Sequence, residues 1–92
     1  MMINEGQRFA VIKLFGHFAS DRNARLWILS QMFGREIKST NELTLNEWRQ
    51  IRDKAYLNWV NSDWTVSDEF IKDGHRRFEE YEEKVLGQKK LF

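Results

Sequence analysis

The sequence predicts an all-α protein, in which a compact bundle of about four helices, residues 1–87, is followed by a short extended C-terminal segment, residues 88–92. Three observations predict this fold. Apolar residues recur at intervals of three and four in four stretches of the chain, which is the spacing of one helix face. Proline, the strongest helix breaker, is absent from all 92 residues, and a chain of this length is expected to form one domain. Capping residues precede the last three stretches, and glycines follow two of them.

The first two helices are predicted from their apolar faces. In the first helix, four residues follow the spacing i, i+3, i+4, i+7: Val11, Leu14, Phe15 and Phe18. Gly16 lies within this helix, where glycine costs about 1 kcal/mol relative to alanine, so we expect it to permit a close contact between helices. The second helix is predicted to be capped by Ser20, with Asp21 at the positive end of its dipole, and to end at Gly34. Its predicted buried side consists of Leu26, Ile28, Leu29, Met32 and Phe33.

A short connection separates the second helix from the third. It contains two capping boxes, Ser39 with Glu42 and Thr44 with Glu47, which predict first a single turn and then a full helix. The apolar residues on either side of the first box are predicted to anchor the connection to the core: Ile37 and Leu43. The third helix is predicted to run from Leu45 to about Val60, with one side formed by Trp48, Ile51, Ala55 and Trp59.

The sequence NSDWTVS interrupts the third helix, because Asn, Ser and Asp favour turns. Ser67 or Thr65 is predicted to cap a fourth helix, whose first acids, Asp68 and Glu69, suit a helix N-terminus. Gly87 is predicted to end it. Its apolar positions are Ile71, Gly74, Phe78, Tyr81 and Val85.

Composition argues against catalysis and against a cofactor. The chain has no cysteine, and its two histidines, His17 and His75, lack a metal-binding spacing. No serine lies in a G-x-S-x-G context, and no glycine-rich loop is present to hold a phosphate. The acidic run at residues 79–83 is expected to be an exposed helix face. We therefore expect a protein that is not an enzyme and that binds no metal or cofactor.

The same composition bears on location. A chain without cysteine fits a reducing compartment. The longest uninterrupted apolar run, FAVI at Phe9–Ile12, is far too short to span a bilayer. We therefore expect a cytoplasmic protein with no membrane partner.

Nucleic-acid binding is one possible function. Fifteen Lys and Arg against fourteen Asp and Glu give a net charge of +1, so the strongly basic composition typical of such proteins is absent. A local basic patch would still form if the third and fourth helices lay side by side, and Trp64 would then be available to stack on a base. The alternative is that the arginines pair with acids one turn away and that the tryptophan closes the edge of the core. The cations concerned are Arg49, Arg52, Lys54, Lys72, Arg76 and Arg77.

The last five residues, QKKLF, are the strongest functional signal. After a helix that ends at Gly87, Leu91 and Phe92 do not continue an apolar stripe, although burying both is worth roughly 3–6 kcal/mol. The segment should therefore either fold back onto its own domain or bind a partner.

Residues 88–92 resemble the Q-x-x-L-F peptide with which bacterial and phage proteins bind the replicative DNA sliding clamp. The resemblance implies that the amide of Gln88 enters a small polar pocket and that Leu91 and Phe92 fill an adjacent hydrophobic cleft. Lys89 and Lys90 occupy positions where that peptide family is permissive. Such peptides often occupy C-terminal ends, which is where this one lies.

A second resemblance covers residues 20–53. This stretch is similar to a small helical module at the C-terminal ends of some phage single-strand annealing proteins. The shared pattern is a D-R pair, an apolar helix, G-R-x-I-x-S, and then L-T-x-x-E at the start of another helix. The sequence departs from that pattern at Trp48, where a small residue is expected, and at Arg52, where an apolar one is expected. The matching positions are Asp21, Arg22, Gly34, Arg35, Ile37, Ser39, Leu43, Thr44 and Glu47.

Both resemblances imply a protein-contacting accessory factor in phage or bacterial replication and recombination. The hypothesis is a helical domain that presents its C-terminal peptide to the sliding clamp, either to recruit an activity or to block the site. If the chain is encoded by a phage, it would act in the cytoplasm of the bacterial host. One alternative is a module that binds single-stranded DNA or the single-strand-binding protein. Another is a structural interaction domain, such as a homodimer that covers Trp48 or Trp64.

Overall fold

The computed structural model describes residues 1–87, in which four α-helices pack around one core and a short β-hairpin follows the third helix. The two strands of the hairpin pair antiparallel, with Tyr56 opposite Val66. The prediction of four helices is confirmed, but the fold is not purely helical because of this hairpin. The elements in chain order are α1 Glu5–Phe15, α2 Arg22–Phe33, a 3-10 turn Thr40–Glu42, α3 Leu45–Ala55, β1 Tyr56–Asn58, a 3-10 turn Trp59–Asn61, β2 Asp63–Val66 and α4 Asp68–Lys84.

The predicted extension of the third helix to Val60 is wrong. Helix α3 ends at Ala55, and Tyr56 has an extended backbone with φ −109° and ψ 134°. The backbone N–H of Ser67 donates to the carbonyl of Ala55 at 2.7 Å, which closes the hairpin at its base. Aromatic and β-branched residues in this stretch favour strands, and pairing across the hairpin replaces the helical hydrogen bonds that they would otherwise make. Trp59 consequently leaves the face occupied by Trp48.

The helix starts follow local capping chemistry. Asn4 caps α1 through a capping box with Gln7, which the apolar pattern alone did not indicate. Asp21 caps α2 in place of the predicted Ser20, and its carboxylate accepts from the N–H of Asn23 at 3.4 Å. Ser67, one of the two predicted caps, precedes α4, but its side chain makes no capping hydrogen bond to that helix.

The core draws on all four helices and on the connection between α2 and α3. The anchors predicted for that connection, Ile37 and Leu43, are buried as expected. On α2, Met32 and Phe33 are only partly buried, so the buried side of that helix is narrower than predicted. The largest fully buried side chains are Val11, Phe15, Ile28, Leu29, Leu43 and Ile51.

A close contact between a glycine and an aromatic ring determines how α4 packs. The glycine is Gly74, not Gly16 as predicted: Gly16 ends α1, with its N–H bonded to the carbonyl of Ile12. A Cβ atom added at Gly74 would overlap the ring of Phe18. That ring also lies against two further rings, with centroid distances of 5.1 Å to Phe15 and 5.6 Å to Phe70. Phe18 therefore joins the end of α1 to the middle of α4.

None of the helices within residues 1–87 has both the length and the apolar character needed to cross a lipid bilayer.

We predict that Gly74→Ala lowers the free energy of unfolding by about 1–3 kcal/mol, because overpacking a dense core forces its rings to shift. This loss should exceed the gain of about 1 kcal/mol that alanine normally brings inside a helix. The matched control is Gly6→Ala in α1, where a Cβ would lie 3.5 Å from the Asn4 Oδ1 atom, an ordinary contact. In chemical denaturation, the Gly6→Ala control should be at least as stable as the wild type. Equal stability of Gly74→Ala and Gly6→Ala would contradict the packing of Phe18 against Gly74.

Candidate functional site

The three residues predicted to bind the sliding clamp, Gln88, Leu91 and Phe92, lie outside the described residues. The structure does describe the point in the chain from which they follow. Helix α4 ends at Lys84, three residues before Gly87. Gly87 has a left-handed backbone with φ 70°, a conformation that glycine adopts without the steric cost it has for other residues. The helix thus ends before the Q-x-x-L-F residues begin.

The last two side chains before Gly87 are apolar and half exposed. Val85 is 50 % exposed and Leu86 is 51 % exposed, whereas Tyr81 one turn earlier is 4 % exposed. Val85, the last of the apolar positions predicted for the fourth helix, therefore follows the end of α4 and is not buried. Both backbone N–H groups still donate to the carbonyl of Tyr81, at 2.9 Å from Val85 and 3.4 Å from Leu86. We call Val85 and Leu86 the apolar pair.

On α4, two of the cations predicted to bind nucleic acid are paired with acids. Arg76 donates to Asp73 at 2.5 Å and to Glu80 at 3.1 Å, and Arg77 donates to Asp73 at 2.9 Å. Burial acts to raise the pKa of Asp73, but the hydrogen bonds from Arg77 and Arg76 outweigh it and hold that pKa below its usual value. Lys72, the third of the predicted cations on this helix, is exposed. The paired acids reduce the positive potential that Arg76 and Arg77 present.

On α3, the predicted cations have different surroundings. The guanidinium of Arg52 lies 3.4 Å from the centroid of the Trp59 ring and pairs with Asp53 at 3.1 Å. Arg49 is exposed. Lys54 is also exposed, and it lines an open pocket of about 450 Å³ together with residues of α4. The α4 residues of that pocket are Glu69, Phe70, Asp73 and Arg77.

Helices α3 and α4 therefore bring only part of the predicted basic patch together. Lys54 and Arg77 share a pocket, but Glu69 and Asp73 line the same pocket. This part of the surface consequently carries mixed charge.

Trp64 lies at a different site. It belongs to β2 of the hairpin and lines a pocket with residues at the end of α1. Its side chain is 54 % exposed and does not close the edge of the core. Its ring meets that of Tyr56 edge to face, with centroids 5.0 Å apart and an interplanar angle of 88°. Burial raises the pKa of Tyr56 above its ordinary value.

The two aromatic rings form one side of a small pocket of about 160 Å³. The pocket combines an apolar wall with the side chains of Lys13 and His17, and none of the acidic residues within residues 1–87 lines it. Sequence analysis did not find this site, because placing Tyr56 in a helix separates it from Trp64 and from α1. Its lining residues are Lys13, Leu14, His17, Tyr56, Trp64 and Val66. We call it the Trp64 pocket.

Within residues 1–87, the His, Asp and Glu side chains form no group of three or more that could hold a metal ion.

The connection between α2 and α3 is held by a salt bridge. Arg35 donates to both carboxylate oxygens of Glu47, from Nε at 3.0 Å and from Nη2 at 2.7 Å. The same Nη2 atom donates to the carbonyl of Glu42 at 2.8 Å, and the N–H of Thr44 donates to Glu47 at 2.8 Å. The Arg35 hydrogen bond is the main cause of a pKa of Glu47 below its ordinary value. Glu47 thus joins the end of α2, the connection and the start of α3.

The other residues of the pattern shared with the annealing-protein module also have structural contacts. Arg22 donates to the carbonyl of Lys38 at 3.1 Å, and the N–H of Ile37 donates to Ser30 Oγ at 2.9 Å. Gly34 has the left-handed backbone expected after α2, with φ 63°. The Ser39 and Thr44 capping boxes are both present, as predicted. The pattern thus corresponds to one locally stabilised unit, from the cap of α2 to the first turn of α3.

Comparison with models of protein families, with curated proteins and with solved structures finds no match to this chain. The two resemblances therefore rest on the residues quoted above.

We predict that Glu47→Gln lowers the free energy of unfolding by about 1–2 kcal/mol at pH 7. Glutamine preserves the capping box with Thr44 but loses the charge that strengthens both Arg35 hydrogen bonds. Because folding lowers the pKa of Glu47, its ionisation stabilises the protein above the unfolded-state pKa, ordinarily about 4.3, and that stabilisation disappears as the pH falls through the folded-state pKa.

Denaturation of both proteins from pH 7 to pH 3 tests this assignment. The difference between them should shrink as the pH falls below about 4.3. The control is Glu36→Gln, since Glu36 is an exposed residue of the same connection and its substitution should change little at any pH. If the wild type stays more stable than Glu47→Gln by the same amount down to pH 3, the charge of Glu47 is not the source of the difference in stability.

Proposed function

We propose that this protein is an accessory factor in phage or bacterial DNA replication or recombination, and that it binds the DNA sliding clamp through Gln88, Leu91 and Phe92. The observation that carries the proposal is the position of the Q-x-x-L-F pattern directly after Gly87, where α4 has already ended. A peptide that follows a helix end does not need to supply apolar side chains to the face of that helix. Its glutamine, leucine and phenylalanine are then free to serve recognition.

The chemistry of the three side chains suits a bound peptide. A glutamine amide has two donors and one acceptor oxygen, so a small polar pocket recognises it by geometry. Leucine and phenylalanine supply most of the apolar surface removed from water on binding. A peptide of this size typically binds at micromolar concentration, about −8 kcal/mol. Simultaneous binding of two copies to a symmetric clamp raises the apparent affinity further.

The proposed role is binding and not catalysis. Occupying the clamp has two possible consequences: the protein recruits an activity to the clamp, or it excludes host proteins that need the same site. Both consequences follow from the same contact. Competition with a host clamp-binding peptide measures whether that contact occupies the site that host proteins use.

We predict that Gln88→Ala combined with Leu91→Ala and Phe92→Ala abolishes binding to purified bacterial sliding clamps, measured by titration calorimetry across a panel of clamps. The matched control, Lys89→Ala with Lys90→Ala, changes the same segment at permissive positions and should bind within about threefold of the wild type, a difference of less than 1 kcal/mol. Clamp binding that survives the triple substitution would contradict the proposal, as would the absence of binding to every clamp.

Thermal unfolding of the same variants tests the alternative that the segment folds back onto its own domain. If residues 88–92 serve a partner, the triple variant should unfold at the wild-type temperature. If Leu91 and Phe92 complete the core, the variant should lose roughly 3–6 kcal/mol of stability.

A second candidate function, binding of single-stranded DNA, is favoured by the Trp64 pocket. Its half-exposed tryptophan offers a surface for stacking a base, and Lys13 and His17 are positioned on the same pocket to contact a phosphate. In the part of the chain that the structure describes, no acidic residue lines the pocket, whereas acids are paired with the arginines of α4. This site is therefore better suited to DNA than the patch predicted on α3 and α4.

We predict that, if this second function holds, Trp64→Ala weakens binding of a fluorescein-labelled oligo(dT) by about 5- to 150-fold, the equivalent of the 1–3 kcal/mol that stacking contributes per base. Fluorescence anisotropy at several salt concentrations makes the measurement, and binding should weaken as salt rises. The control is Leu57→Ala, an exposed apolar residue of the same hairpin. Equal binding by both variants would exclude the Trp64 pocket as a DNA site.

A further inference from the structure

The apolar pair is unusual in combining exposure with a fixed position. Val85 and Leu86 each expose about half of their surface, 50 % and 51 %. Their backbone N–H groups bond to the carbonyl of Tyr81, so the pair continues from a helix whose Tyr81 side chain is buried. Single exposed apolar residues are common on protein surfaces and need no explanation. Here two consecutive ones lie beside the segment that the proposed function assigns to a partner.

The geometry of the chain restricts how far this pair can be from such a partner. A fully extended chain advances at most about 3.6 Å per residue, so the Cα atoms of Leu86 and Gln88 are at most about 7 Å apart. The same limit for Val85 and Gln88 is about 11 Å. A protein that encloses the Gln88 amide in a pocket therefore has part of its surface near Leu86.

We propose that Val85 and Leu86 form a second part of the clamp-binding surface and pack against an apolar area beside the glutamine pocket. This inference rests on the proposed clamp-binding function. The residues around the pair suit an interface: Glu83 and Lys84 are exposed next to it, so the apolar centre has a charged rim. Because the end of α4 holds the pair in place, little conformational entropy is lost when it binds.

The occupant proposed for this surface is the clamp itself, because Val85 and Leu86 lie within three residues of Gln88 in the chain. A partner that contacts Gln88 but not Leu86 would leave both apolar side chains in water at the edge of a dry interface. Burying their exposed halves adds affinity that an isolated Q-x-x-L-F peptide lacks. The complete protein should accordingly bind the clamp more tightly than a synthetic peptide of residues 88–92.

The test is clamp binding by Val85→Ser with Leu86→Ser in the full chain, with residues 88–92 unchanged. The expected result is binding about tenfold weaker than wild type, equivalent to about 1.4 kcal/mol. The matched control replaces two equally apolar residues of the hairpin, Leu57→Ser with Val60→Ser, which are 67 % and 71 % exposed. The control should bind as the wild type does. If the double variant does not fold, Leu86→Ala alone should still weaken binding about threefold.

Three outcomes separate this inference from the proposed function. If the Val85 and Leu86 variant binds as tightly as wild type while the Gln88, Leu91 and Phe92 variant does not bind, the inference is overturned and the proposed function stands. If the hairpin control weakens binding to the same extent, the effect is not local and the inference is again overturned. If loss of Gln88, Leu91 and Phe92 has no effect, the proposed function fails and the inference fails with it.

Discussion

The hydrogen bonds that the Glu47 carboxylate accepts fix the connection between α2 and α3, and the position of the hairpin follows from that connection. The carboxylate accepts two hydrogen bonds from Arg35 and one from the N–H of Thr44, so one side chain joins the end of α2 to the start of α3. A connection without regular structure has many conformations, and fixing it costs backbone entropy of about 1–2 kcal/mol per residue. The salt bridge, the two capping boxes and the burial of Ile37 and Leu43 offset this cost together. Once the direction of α3 is fixed, the hairpin that follows it lies against the end of α1.

The second constraint is the fit of Phe18 against Gly74. The ring of Phe18 occupies the space that a side chain at position 74 would need, and it packs on Phe15 and Phe70 as well. This contact fixes α4 relative to α1, and therefore fixes where α4 ends. The apolar pair comes directly after that end in the chain. A local packing requirement in the core thus helps to fix the position of the apolar pair.

Features that depend on neighbouring residues were predictable from the sequence, and those that depend on distant contacts were not. The capping boxes at Ser39 and Thr44 and the left-handed Gly34 involve residues within a few positions of one another, and the structure confirms them. The hairpin was missed because Trp59 continues the helical spacing of α3, while the pairing that overrides it involves Val66 and Ser67. The sequence likewise could not distinguish Gly16 from Gly74, since a close contact is visible only when two elements are packed. The Trp64 pocket was missed for the same reason, because its residues come from α1, from the turn after it and from both strands.

In the proposed function, the residues that bind the partner are different from those that stabilise the fold. Residues 88–92 and the apolar pair would bind the partner, while Glu47 and Phe18 hold the body that presents them. The most direct measurement is an NMR titration of the isotope-labelled protein with an unlabelled sliding clamp. We expect the backbone signals of residues 85–92 to lose intensity first and most strongly, with those of the hairpin and of α3 affected only by the slower tumbling of the complex. Selective changes in the hairpin, with residues 88–92 unaffected, would contradict the proposal.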